Sequence, residues 1–207
     1  MELDATAIAP EPPMVIATER RYSLDEYRSR EASAEERHEY RNGEIVPMPG
    51  GSANHSAIAL NLAAFLLVAL RDTDSRVYGS DLRLWIPEVQ RGTYPDVMVT
   101  DGALVFNRDS NGDRADEILN PVLIAEVLSP STEAYDRGDK FRAYRTITTL
   151  RHYLLISQDC PCVEHYEKLD DQRWSFVDCT DPEGAITIQQ PSLEIPLPEL
   201  YRRIEFA

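Results

Sequence analysis

The sequence predicts an α/β (α+β) fold, a mixed β-sheet flanked by helices. Three observations carry that expectation. Helix-period and strand-period segments follow one another along the chain. Two segments, Tyr94–Thr100 and Val122–Leu128, read as buried strands. One apolar run, Ala53 to Leu70, reads as a helix packed within the core. At 207 residues the chain has room for one domain with a sizeable core.

Residues 1–20 are Pro- and acid-rich without periodicity and read as a disordered or loosely attached arm before a domain spanning 21–207. Ser23-Leu-Asp-Glu26 has the capping-box spacing that opens a short helix to about Arg30. Asn42-Gly43 between strand-like flanks marks a hairpin, with Glu39 expected to face solvent. Ser52 is placed to cap the apolar helix. Short strands are expected at Arg76–Gly79 and Asp81–Ile86, then Tyr94–Thr100, a polar loop over Asn107–Asn120, and Val122–Leu128. In that loop Asp109, Asn111 and Asp113 imitate a calcium-binding start, but Arg114 holds the position that needs glycine. A helix from Ser131 or Thr132 to about Ile147 comes next. Strands are then expected at Arg151–Ile156, Val163–Lys168, Trp174–Val177 and Ala185–Ile188, and a closing helix over Glu199–Ile204.

The charge balance narrows function. A net charge of −15 repels phosphate backbones at long range and disfavours a non-specific nucleic-acid binder. One stretch runs the other way: Arg137 to Arg151 holds Arg137, Lys140, Arg142, Arg145 and Arg151 against the single acid Asp139. The apolar run is too short to cross a bilayer, no secretory signal is visible, and three cysteines fit a reducing cytoplasm better than a disulfide framework. Cys160-Pro-Cys162, His165 and Cys179 do not have zinc-ligand spacing.

Chemistry concentrates at three residues. Asp96 lies in a strand and needs a cation or donors if buried; a metal and an arginine both satisfy it. Glu126 interrupts an otherwise apolar central strand, where an unpaired carboxylate is costly. Two such acids on neighbouring strands would require a divalent cation or a shared proton, and oxygen ligands suit Mg²⁺. Lys140 is one of only two lysines and falls at i+4 from Asp136 and i−4 from Tyr144. It reads either as an ordinary helix ion pair or as a cation for a charged transition state. His55 is either a cap-region histidine or a site base, and Asp81 either a surface turn residue or a further acid.

Pro95-Asp96, Glu126-Val-Leu-Ser-Pro-Ser-Thr132, Lys140 and Tyr144 stand together with Asn42-Gly-Glu-Ile45, His55 and Tyr153-Leu-Leu-Ile156. In this combination the chain resembles the Uma-type restriction endonucleases of the PD-(D/E)XK nuclease superfamily, from about Ser23 to Ile204. The resemblance implies a restriction-endonuclease-like core and a DNA-cleaving enzyme using Mg²⁺, with Mn²⁺ as a substitute. It implies Asp96 and Glu126 as metal ligands with the Val127 carbonyl, and Glu44 as an additional acid. Lys140 would replace the lysine that the superfamily carries two positions after the glutamate, where this chain has Leu128. A homodimer would suit cutting of a duplex. The alternative is a nuclease-fold binding or regulatory module with little or no cleavage.

Overall fold

A computed structural model describes residues 20–206, so the expected N-terminal arm lies outside the described residues except for Arg20. The chain begins with α1 (Leu24–Glu31), closed at its start by the reciprocal Ser23/Glu26 capping box. The hairpin β1 (His38–Arg41) and β2 (Glu44–Pro47) turns at Asn42 and Gly43, both at positive φ, where glycine carries no Cβ penalty. Helix α2 (Ala53–Ala69) comes after it, with the Ser52 hydroxyl accepting from the His55 amide.

Next come β3 (Arg76–Gly79), β4 (Arg83–Ile86), β5 (Arg91–Thr93) and β6 (Val97–Thr100). The expected polar loop instead contains β7 (Phe106–Arg108) and β8 (Arg114–Ile118), joined by a turn in which Asp109 Oδ1 accepts the Asn111 and Asp113 amides. Sequence alternation fails there because β8 draws its stability from pairing with β4 rather than from an apolar face of its own.

Strand β9 (Pro121–Val127) leads into a helical segment built from α3 (Glu133–Tyr135), a π-helical turn (Asp136–Lys140) and α4 (Phe141–Tyr144). The chain returns along β10 (His152–Ile156), β11 (Val163–Lys168) and β12 (Trp174–Cys179). It ends with a separate hairpin, β13 (Ala185–Gln189) and β14 (Ser192–Pro196), and α5 (Leu197–Leu200). The closing helix is therefore earlier and shorter than the sequence predicts, and β14 is an addition to the predicted strands.

Two six-stranded sheets form among the described residues, in the orders β2-β1-β5-β4-β8-β7 and β12-β11-β10-β9-β6-β3, where the sequence predicts one. The second is the centre of the molecule. Leu123, Ala125 and Val127 of β9 join Ile58, Leu62 and Leu66 of α2, with Ile186, Ile188 and Ile195 of the C-terminal hairpin completing that core. Ile124 and Leu128 face the opposite way, towards Leu84, Ile86 and Ile118 of the first sheet and Ala143 and Tyr144 of α4. Helix α2 is not buried all round, because Leu60, Leu67 and Val68 are exposed. No described helix is long and apolar enough to cross a membrane.

Strands β9 and β10 are parallel, so the segment 133–144 is the crossover between them. Crevices at the carboxyl ends of parallel strands are where α/β folds hold ligands, and the crossover leaves β9 at such an end.

A buried imidazole pair on β10 and β11 is sensitive to acid. His152 Nδ1 and His165 Nε2 are 3.0 Å apart, and burial pushes both rings down to about 4. The unfolded chain then binds more protons than the folded one between pH 6.5 and about 4, so stability is complete above pH 6.5 and falls as pH drops through that window. Urea unfolding at pH 7 and pH 4 should differ by on the order of 5 kcal/mol from this pair, and His165→Gln should flatten the profile. An unchanged profile in the variant would refute the assignment.

Candidate active site

The register of the central sheet puts the two suspected acids together. β6 and β9 run antiparallel with Val97 opposite Ala125, so Asp96 and Glu126 occupy the next step beyond that pair. Asp96 stands just outside β6. Its Oδ2 accepts the Val127 amide at 2.7 Å and lies 3.2 Å from His55 Nε2, which arrives from the first turn of α2. The Asp96 hydrogen bond holds the His55 imidazole above its ordinary value, against the effect of burial.

Glu126 shares its strand face with Ile124 and Leu128 and is almost inaccessible. Its Oε1 accepts the Tyr144 hydroxyl at 2.7 Å and meets Lys140 Nζ at 2.9 Å. Burial pushes this carboxyl up to about 8; the Lys140 ammonium opposes that, while the negative charges of Asp96 and Asp136 reinforce it. Lys140 is buried too, yet it stays well above the ordinary lysine value because Glu126, Asp136 and Glu39 surround it. Its Nζ is 3.2 Å from Asp136 Oδ1 and 3.8 Å from Glu39 Oε1. Asp136 Oδ1 itself is buried without a well-directed hydrogen bond. The vacated slot at Leu128 is explained by packing: its side chain fills the core between the sheets.

Glu39 is the residue that sequence reasoning placed wrongly. It is buried rather than solvent-facing, accepting from Thr93 Oγ1 at 2.5 Å and Tyr135 OH at 2.8 Å, with the Arg41 guanidinium 2.7 Å away. Burial alone would raise it, but Lys140, Thr93, Arg41 and Tyr135 together hold it below the ordinary carboxylate range. Its burial comes from β5, a three-residue strand too short to announce itself, which pairs with β1 and brings Thr93 alongside.

Glu44, by contrast, lies exposed on the edge strand β2 and does not line the cavity: opposite Arg41 it shares the face of Glu39, but it sits at the turn end of the hairpin on the outer edge of the sheet. Asp81 is likewise exposed and ion-paired with Arg37, in a groove adjoining the site. Tyr144 is fully buried and acts from behind Glu126. Asp96, Glu126, Val127, His55, Lys140, Asp136, Glu39 and Tyr135 all border one cavity of about 100 Å³.

Among the described residues, no three His, Cys, Asp or Glu side chains converge closely enough to cage an ion by themselves. Mg²⁺, however, is commonly held by one or two carboxylates and keeps several waters. Asp96, Glu126 and the Val127 carbonyl are hard oxygen donors of that kind. The high proton affinity of Glu126 adds support, since a carboxylate strained by burial and acidic neighbours gains from a further cation. The residues present therefore fit a water-rich divalent site.

Residues 24–198 match the family model described as "Uma2: Putative restriction endonuclease". Two Synechocystis proteins, named only as uncharacterized proteins sll1609 and slr1290, are similar along most of their length. The first is 44% identical over 161 residues, covering 78% of this chain and 89% of that protein. The second is 37% identical over 184 residues, covering 89% and 93%. The crystal structure of a putative nuclease belonging to DUF820 from Anabaena variabilis superposes with a TM-score of 0.69 at 20% identity, covering 87% of this chain and 97% of that one. That likeness shows a common fold.

Removing the buried ammonium isolates the energetics of the cluster. Lys140→Met should cost on the order of 3 kcal/mol near pH 8, because Glu126 and Asp136 lose their counter-ion. The loss should shrink towards pH 5. With its folded-state value raised, Glu126 binds a proton more readily in the folded protein than unfolded, so that stability falls as pH rises from about 4.5 through 8. Denaturant unfolding of the variant at both pH values checks this; equal costs would argue against a buried, uncompensated Glu126.

Proposed function

The chain belongs to the Uma2 family, and from that membership and the geometry at the end of β9 we propose a divalent-metal-dependent endonuclease that hydrolyses DNA phosphodiester bonds. One observation carries the reading: Asp96 and Glu126 stand side by side at neighbouring strand ends, with the Lys140 ammonium 2.9 Å from Glu126 in the same cavity.

Mg²⁺, or Mn²⁺ in its place, would be held by Asp96, Glu126 and the Val127 carbonyl, and when bound supplies a water of lowered pKa and a Lewis acid for the scissile phosphate. The chain's own groups do the rest. Lys140 brings a fixed positive charge to the cavity, where it stabilises negative charge building on the phosphoryl oxygens. Asp136, Glu39 and Glu126 hold that ammonium in one place, so little reorganisation accompanies the reaction. Tyr144 donates to Glu126 and fixes the carboxylate plane. His55 and the Val127 amide do the same for Asp96.

A second reading, a nuclease-fold module that binds without cutting, is favoured by the contact of Lys140 with Glu126 and Asp136, which leaves its ammonium heavily committed.

Plasmid nicking in Mg²⁺ or Mn²⁺ separates the two. The parent protein should nick supercoiled DNA, and Asp96→Ala and Glu126→Ala should each lower the rate by on the order of 100-fold or more. Equal nicking by the variants would place the activity elsewhere, and binding without nicking by the parent would favour the second reading.

A further inference from the structure

Beside the carboxylate–lysine cluster, β1 and β5 pair with Arg41 directly opposite Arg91. Like charges at opposed positions of an antiparallel ladder destabilise it unless something neutralises them. Arg41 has its counter-ion in Glu39, 2.7 Å away. Arg91 has none: among the described residues no carboxylate lies within ion-pair reach of its guanidinium. Other described arginines lack one too, Arg76 and Arg151 among them; Arg91 is set apart by the guanidinium directly across the ladder and by its buried Nε.

Arg91 is nevertheless held in place. Its Nη1 donates to the Asp139 carbonyl at 3.0 Å, at the end of the π-helical turn, and its Nε is buried without an acceptor. Both guanidiniums lie over the Tyr135 ring, Arg41 at 3.9 Å and Arg91 at 5.5 Å from its centroid. Arg41 and Tyr135 line the same cavity as Asp96, Glu126 and Lys140. A guanidinium fixed by a carbonyl and an aromatic face, without an acid, is preorganised for an anion from outside.

We propose that Arg41 and Arg91, braced on Tyr135, form a clamp for a phosphate of the nucleic-acid backbone adjoining the one cleaved, and that Arg91 is its main binding group. This deepens the nuclease reading and rests on it. The planar fork of arginine suits two phosphate oxygens at once, and the neighbouring guanidinium supplies a second fork on the same side. A bound phosphodiester also relieves the repulsion between the two arginines. The clamp gives local positive potential to a protein whose overall charge opposes DNA, so contact with the backbone is confined to one place.

The test compares the full-length parent with Arg91→Gln and Arg91→Lys, using a fluorescein-labelled DNA duplex in Ca²⁺ at several salt concentrations, with plasmid nicking in Mg²⁺ alongside. Arg91→Gln should bind on the order of tenfold more weakly, and its plot of log affinity against log salt should be shallower by about one phosphate contact. Arg91→Lys should keep the parent's salt slope while losing affinity, since the charge remains and the fork does not. Melting temperatures should change little, since loss of the Asp139 carbonyl bond and the Tyr135 contact is offset by removal of one member of a like-charge pair; a merely structural Arg91 would lower the melting temperature markedly and leave the salt slope alone. Should the parent bind and nick while Arg91→Gln matches it in affinity and slope, the clamp is wrong and the nuclease reading stands. Should the parent neither bind nor nick, both fall together.

Discussion

Glu126 is carried by β9 into the space between two sheets, and the ion pair it makes with Lys140 is the constraint around which the surrounding structure is arranged. Neither charge can be left alone there. Taking an isolated carboxylate or ammonium out of water costs several kcal/mol even after relaxation, and the pair is tolerable only when the remaining lone pairs and protons are met. Tyr144, Asp136 and Glu39 meet them. Each of these is in turn anchored from elsewhere: Glu39 by Thr93, Tyr135 and Arg41, and the Asp136 carbonyl by the Tyr153 hydroxyl of β10. The cluster therefore ties β1, β5, β9, β10 and the crossover helix to one point.

The arrangement favours chemistry over stability. Hydrophobic residues of similar volume would hold the same elements together without the desolvation cost. What they would not supply is a carboxylate whose proton affinity is raised by burial and by Asp96 and Asp136 while a fixed ammonium touches it. Perturbed groups of this kind gather where a protein acts on something. Asp96 differs in being held at the cavity wall by a backbone amide and an imidazole, so the two neighbouring acids meet the same space from different environments.

Much of this is legible in the chain. Glu126 announces itself by interrupting a buried apolar strand, and Asp136, Lys140 and Tyr144 by their helical spacing. The Ser23 and Ser52 caps and the Asn42-Gly43 turn are local signals, and the structure has all three. Glu39 is not legible, because its burial depends on β5, whose three residues carry no pattern. Glu44 is the acid the family resemblance implies, and it shares the face of Glu39, but its place opposite Arg41 on the edge strand leaves it in solvent. The two-sheet architecture is hidden for a related reason: β7 and β8 are polar and short, and their pairing is a matter of tertiary neighbours rather than of composition.

The π-helical turn at Asp136–Lys140 fixes more than a local shape. A π turn accommodates an additional residue, so the downstream helix is rotated relative to an uninterrupted α-helix, by about 100° for each residue. Tyr144 donates to Glu126, and Phe141 meets the rings of Tyr153, Tyr166 and Trp174, in the phase that the turn sets. Between the end of β9 and Tyr144, the number of residues is thus as much a part of the site as their identity. A substitution can be absorbed there one side chain at a time, whereas a single insertion or deletion dephases everything beyond it. The turn at Asp109–Asp113, by contrast, can change length without moving any group of the site.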